Sequence, residues 1–274
     1  MNNILEVKEI VKKYPDFLLD NISFTLPRGY IMGFIGSNGA GKTTTIKAIL
    51  GIIKTDSGEI SAPPNDKIGI VMDTPFYIDE WTSVDTEKAI APFYSRWNSE
   101  TFTGYLKKFN LDPKKKIKDM SRGMKVKIQI AAALSHDAEL LILDEPTSGL
   151  DPVARDEVCD ILRDFVSDEK KSVLFSTHIT TDLEKTADFI TFIGGGKLLY
   201  TGEKDGLLEK YVRVSGGLSD ISAEQKKQII GYREHSTGFE GMMLSSEKSP
   251  KNVLRDPVSL DEIIVFMNGG KKDE

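Results

Sequence analysis

Apolar and polar positions are interleaved from the first residues: Ile4, Val7, Ile10 and Val11 stand among polar neighbours. A turn is signalled at Tyr14-Pro15-Asp16, and residues 22–26 resume the mixture. That pattern predicts two strands joined by a tight turn. Pro27-Arg28-Gly29 turns the chain again, and residues 30–35 form an apolar run of buried-strand length. The run leads straight into GSNGAGKTTTIKAILG, whose second half has helical content and ends at Gly51. A buried strand, a glycine loop and a helix are therefore expected in that order. Residues 56–75 carry turn signals and at least one further strand at 67–72.

Over 80–110 the pattern changes: Trp81, Ile90, Phe93, Tyr94, Trp97, Phe102, Leu106 and Phe109 fall at mostly helical spacings. This predicts a helical subdomain inserted in an α/β core. The segment SRGMKVKIQIAAALSHD contains a strand-like stretch at 126–130, but its three consecutive alanines and a capping Ser121 predict a helix. LLILD at 140–144 and SVLFSTH at 172–178 read as buried strands with a helix over 152–168 between them. Strands alternating with helices imply a mostly parallel sheet. Beyond Gly202 the core pattern stops. Strand-like pieces at 211–214 and 242–244, a polar helix near 222–230 and a last helix capped by Ser259 are expected, followed by the charged tail KKDE.

With 274 residues, 39% of them hydrophobic, the chain has material for one large domain, or a domain with an appendage. Its 36 basic and 42 acidic side chains give a formal charge of -6, which supplies no footprint for wrapping nucleic acid. Nucleic acid is not expected as a partner. The single cysteine, Cys159, cannot close a disulfide within the chain, so a reducing, intracellular setting is expected. No run of 18 apolar residues occurs, and charges interrupt the first twenty residues. Neither a membrane span nor a signal peptide is expected.

Gly36-Ser37-Asn38-Gly39-Ala40-Gly41-Lys42-Thr43 fits G-x-x-x-x-G-K-[ST] in the strand-to-helix setting the motif requires. Glycines bring backbone N–H groups to phosphates and the helix N-terminus adds positive potential. Lys42 reaches the terminal phosphates, and the Thr43 hydroxyl can ligate Mg2+. At 140–145 four apolar residues end in Asp144 and Glu145, at the expected carboxyl edge of the sheet. Two acids serve two tasks: Asp144 can hold Mg2+ through water, and Glu145 can polarise the attacking water as general base.

These residues and several others, in order along 1–202, resemble the nucleotide-binding subunit of an ABC transporter. GSNGAGKTT, continuing through Thr44, stands as Walker A and ILDEP at 142–146 as Walker B. Ser121-Arg122-Gly123-Met124 stands for the signature, Ser148-Gly149-Leu150-Asp151 for the D-loop, and His178 for the switch histidine. The resemblance implies ATP and Mg2+ as cofactors, with Tyr14 stacking on adenine. It further implies that His178 bonds the terminal phosphate and water, and that Asp151 belongs to the catalytic set. Ser121, Arg122, Gly123 and Met124 would serve nucleotide held by the opposite subunit of a head-to-tail dimer. It implies a P-loop core of ABC ATPase type with an antiparallel β subdomain, an inserted helical subdomain and a small C-terminal α+β extension. The expected division is 1–79, 80–135, 136–205 and 206–274.

Two departures stand out. Asp73 replaces the Q-loop glutamine, and no glutamine precedes Gln129. Aspartate keeps an oxygen for Mg2+ while adding negative charge near phosphate, or else it turns outward. Arg122 replaces the first signature glycine; its guanidinium is expected in solvent, with a contact to phosphate as the alternative. The SRGMK variant is similar to the ATPases of ABC-2-type exporters, including those linked to antimicrobial or amphipathic peptides. The resemblance implies ATP hydrolysis that powers a separate membrane permease from the cytoplasmic face, through a pair of ATPase subunits. The alternative is a regulatory module in which nucleotide-driven dimerisation is itself the function.

Overall fold

Strands in which every residue is apolar or small can sit only where both faces are covered. The computed structural model describes residues 2–74, 77–250 and 252–269. In it, β1 (Asn3–Tyr14) and β2 (Phe17–Pro27) form the opening antiparallel hairpin, closing with Tyr14 opposite Phe17. Then come β3 (Ile31–Ile35), α1 (Lys42–Ile49), β4 (Ser57–Ser61) and β5 (Ile68–Val71). The helical insert contains α2 (Ser83–Ile90), α3 (Ser99–Lys108) and α4 (Arg122–Ala133). The core resumes with β6 (Leu140–Asp144), α5 (Pro152–Val166), β7 (Ser172–Thr177), α6 (Thr180–Thr186), β8 (Phe189–Gly194) and β9 (Lys197–Glu203).

The nine strands form one mixed sheet in the order β4-β1-β2-β9-β8-β3-β7-β6-β5. Every residue of β3, β6 and β7 is buried, and these strands run parallel to one another. Their register sets Ile35 opposite Thr177 and Asp144 opposite Ser176. That alignment brings three strand ends, and the loops that leave them, to one carboxyl edge. Met32, Phe34, Ile46, Ile142 and Leu174 are buried in a common core beneath it, each contributing roughly 1.5–3 kcal/mol by leaving water.

In the helical insert, Thr82 and Asp85 make a reciprocal cap for α2, and Asn98 accepts the Thr101 N–H to cap α3. Ser121 accepts the Met124 N–H at 3.2 Å, so α4 begins at the expected cap. The β-branched stretch at 126–130 is helical, and Ile128 and Ile130 are buried. Phe102 is wholly buried against Trp97, at 5.5 Å between ring centroids, whereas Phe93 is 81% exposed.

The chain divides into two compact units between Thr201 and Gly202. The second contains α7 (Lys204–Lys210), β10 (Tyr211–Gly216), α8 (Ala223–Lys226), β11 (Ile230–His235), β12 (Gly238–Leu244), β13 (Leu254–Pro257) and α9 (Leu260–Gly269). Its strands are antiparallel, ordered β11-β12-β10-β13, and α9 packs on β11 and β12. Ser259 and Glu262 form the expected reciprocal cap of α9. The helix expected near 222–230 ends at Lys226, and a strand begins at Ile230. Gly231, at φ +65, adopts a left-handed conformation incompatible with continuing a helix. The KKDE tail lies outside the described residues. Among those residues no helix is long and apolar enough to cross a membrane.

Candidate functional site

The loop between β3 and α1 must bend sharply to pass from a buried strand into a helix. Gly41 makes the last step at φ +109, and a Cβ there would come within 2.8 Å of Leu19 and 3.0 Å of Phe17. A side chain is excluded both by conformation and by space. The loop then delivers Lys42, whose side chain is only 7% exposed. Its Nζ donates to the Gly36 carbonyl at 2.7 Å and lies 3.2 Å from Glu145 Oε1.

One residue further, the Thr43 hydroxyl donates to Asp144 Oδ2 at 2.8 Å. From β7 the buried Ser176 hydroxyl donates to Asp144 Oδ1 at 2.6 Å and accepts the Glu145 N–H at 3.1 Å. Asp144 is thus fixed from both sides. Glu145 adopts φ +51, an uncommon left-handed conformation for this residue type, which turns its side chain out of the strand direction. Its Oε2 lies 2.7 Å from His178 Nδ1 and accepts the His178 backbone N–H at 3.3 Å. Because a carboxylate only accepts, Nδ1 carries the hydrogen of this contact, and the neutral imidazole of that tautomer presents Nε2 as an acceptor.

Glu145 Oε1 is buried and has no aligned hydrogen-bond donor; Lys42 meets it as an ion pair alone. An orphaned carboxylate oxygen beside a phosphate loop is suited to take a proton from water. A cavity of about 590 Å3 opens over this group, lined by Asp16, Phe17, Ser37, Asn38, Gly39, Gly41, Lys42, Thr43, Thr44, Asp73, Asp144 and Glu145. The donors Thr43 and Asp144 fit Mg2+, a hard cation commonly held by one or two carboxylates together with substrate phosphates. Among the described residues no cluster of three or more His, Cys, Asp or Glu suited to a metal occurs.

Several expected residues lie elsewhere. Tyr14 is 43% exposed and sits 6.5 Å from Phe17, ring centroid to centroid; Phe17, not Tyr14, lines the cavity. Ala40 is buried and does not line the cavity. Ser121, Arg122, Gly123 and Met124 do not line the cavity in their own chain. Asp151 caps α5, accepting the N–H groups of Val153 and Ala154 at 3.0 and 3.1 Å. Asp73 lines the cavity, and its Oδ1 accepts a hydrogen bond from Arg122. Arg122 is 45% exposed, and its guanidinium also donates to Asp73 and to the Ser148 carbonyl of its own chain. Ser176 was legible only as part of a strand end, and its hydroxyl role follows from the β6–β7 register. His136, given no chemistry from sequence, is buried against Tyr94 away from the cavity, and burial lowers its pKa.

Comparison with known proteins gives a family model described as ABC transporter, matching residues 19–148. The chain is 34% identical to the lantibiotic transport ATP-binding protein SrtF of Streptococcus pyogenes, over 74% of this chain and 92% of that protein. It is 26% identical to the ABC transporter ATP-binding protein YtrB of Bacillus subtilis (strain 168), over 98% of this chain and 99% of that one. A solved ATP-binding subunit of an ABC transporter superposes with a TM-score of 0.66 at 28% identity, covering 74% of this chain and 91% of the other.

Proposed function

We propose that this chain, which belongs to the family of ABC-transporter ATP-binding subunits, hydrolyses Mg-ATP in a head-to-tail pair of subunits and thereby drives a separate membrane permease that exports a peptide, drug or lipid-like substrate. The observation that carries the reading is the contiguous run from the buried Lys42 through Glu145, both lining the phosphate-loop cavity, to the exposed His178. On arrival of the triphosphate, Lys42 exchanges its protein oxygens for phosphate oxygens, and the glycine-loop N–H groups take the remainder. Glu145 Oε1 then accepts a proton from water as the water oxygen attacks the γ-phosphorus. The bond from that phosphorus to the bridging oxygen breaks, and ADP and phosphate leave. His178 Nε2 accepts the other water hydrogen, which aims the nucleophile.

Thr43 and Asp144 would hold Mg2+, with Asp73 nearby; when bound, the ion neutralises phosphate charge and orients the chain of phosphates. Phe17 and Tyr14 together offer the base an aromatic edge. The start of α4 has no place in its own cavity, which supports its serving a second subunit: Ser121 would present that helix N-terminus to the partner's triphosphate. Closure on ATP and opening after hydrolysis would supply the mechanical stroke.

Export is supported by the SRGMK signature and by similarity to a lantibiotic transport ATPase. The highly exposed Phe93 in the helical insert supports docking of a permease there, which would hold the chain at the cytoplasmic face of the membrane. Steady-state ATPase of the parent and of Glu145→Gln, with oligomeric state followed by sedimentation on adding Mg-ATP, tests the reading. Turnover in the parent and a nucleotide-stabilised dimer without turnover in the variant are expected. Equal turnover in both would remove Glu145 as general base.

A further inference from the structure

Arg122 joins three separate parts of the chain. It occupies the first turn of α4, beside the capping Ser121. Its Nε donates to the Ser148 carbonyl at 2.6 Å, and its Nη2 donates to Asp73 Oδ1. Asp73 lies just past β5 and lines the phosphate cavity, and Ser148 donates its own N–H to the Glu145 carbonyl at 3.2 Å. One guanidinium thus spans the segment after β5, the start of α4 and the loop that follows Glu145.

The surrounding backbone makes room for it. Gly149 has φ +70, and a Cβ there would lie 3.2 Å from Arg122 Cδ and 3.4 Å from Nε. At Gly123 a Cβ would lie 3.5 Å from Leu150, so the helix start and the loop are already in contact. A planar fork can donate in two directions at once, whereas a lysine is a single point charge. Asp73 supplies a charged acceptor, which makes the contact stronger than one to a neutral amide. The two side chains are 45% and 51% exposed, so solvent screens the pair and its contribution to stability is small. Its effect is on position.

We infer that Arg122 is a positioning residue that fastens the start of α4 to the Asp73 and Ser148 segments of its own chain, so that the helix end offered to a second subunit moves together with the Glu145 loop. This deepens the hydrolysis reading above and rests on it. The aspartate and arginine that replace the expected glutamine and glycine then form one functional unit: each is the other's partner. The same contact keeps the Asp73 charge neutralised beside the phosphates.

The test is a double-mutant cycle in ATP turnover with Arg122→Gln, Asp73→Asn and both together, plus Arg122→Lys. Each single variant is expected to lower kcat about tenfold, with the double no lower than the worse single, and Arg122→Lys is expected to recover little. Multiplying losses, about a hundredfold in the double, would overturn the pairing. Full rescue by lysine would overturn it too, because a general surface charge would then suffice. A rise in KM for ATP on removing Arg122 in both Asp73 backgrounds would make it a phosphate ligand instead.

Hydrogen exchange in the nucleotide-free protein gives a readout independent of turnover. Amides at 122–124 and 148–150 are expected to exchange at least about threefold faster in both single variants. Unchanged exchange at both segments would contradict the pairing. A parent without ATPase activity would defeat the hydrolysis reading, while exchange would still decide the contact.

Discussion

Ser176→Ala is the most informative small change in the site. The serine is fully buried, and its hydroxyl is the donor to Asp144 Oδ1 at 2.6 Å. The β6–β7 register places the two residues opposite each other. Asp144 is 2% exposed and keeps, among the described residues, the Thr43 hydroxyl at 2.8 Å. Glu145 loses one acceptor for its N–H but retains the Ser176 carbonyl at 3.0 Å. The cost is therefore that of a charged, buried acceptor losing one partner, about 1.5–3 kcal/mol. For a unit of this size that corresponds to a fall in Tm of roughly 3–12 °C. Because the same oxygen pair orients the Mg2+ donor, the Mg2+ concentration giving half-maximal ATPase should rise about 10- to 100-fold. Thermal unfolding without nucleotide and Mg2+ titrations at saturating ATP read the two effects. A variant with parental Tm and an unchanged Mg2+ midpoint would refute the reasoning.

Three further outcomes follow from the geometry. Phe17→Ala should weaken ATP binding, measured with a fluorescent ATP analogue, by about 1–3 kcal/mol. Tyr14→Ala should do less, because Phe17 lines the cavity and Tyr14 does not; a larger effect at Tyr14 would reverse that assignment. His136 is held neutral by burial, stacked 3.9 Å from Tyr94, with Nδ1 bonded to the Asp66 carbonyl at 3.2 Å. Asp137 beside it has its carboxyl lowered by Lys67 first and Arg96 next. With the folded-state pKa of His136 below the unfolded value near 6.5, its contribution is complete above about pH 6.5. It is lost on acidification, by up to about 1.4 kcal/mol per pH unit, until the folded group itself titrates. Denaturant melts from pH 7.5 to 5.5 should show a steeper loss for the parent than for His136→Gln, and parallel curves would contradict this. Lys42→Ala leaves Glu145 without its cation in a largely buried place. It should abolish measurable ATPase while the protein stays folded by circular dichroism; retained turnover would count against the phosphate role of Lys42.

The parts of the fold that showed in the sequence are those whose burial is one-sided or complete. LLILD up to its terminal Asp144, and SVLFST throughout, are apolar or small because the strands are covered on both faces, and the alanines of α4 outweigh its β-branched stretch. SGEIS of β4 and IGYREH of β11 carry too few buried side chains to stand out as strands. Partner strands define them. Within the site, Lys42, Thr43, Asp144 and Glu145 were legible because the phosphate loop and the strand end fix their spacing. Ser176 depended on register across two strands. The Asp73–Arg122 contact joins residues 49 apart with no shared periodicity, so only the folded chain brings the two departures together. Phe17 was hidden by its neighbour, since either aromatic of the hairpin turn could have faced the nucleotide.

The most direct test of the account concerns shared sites. Lys42→Ala protein keeps an intact α4, and Ser121→Ala protein keeps an intact phosphate loop. Each alone is expected to be nearly inactive, whereas an equimolar mixture allowed to exchange subunits should contain one complete site in each mixed pair and recover about a quarter of parental ATPase. Activity of the mixture no higher than the average of the two separate variants would contradict a site built from two chains.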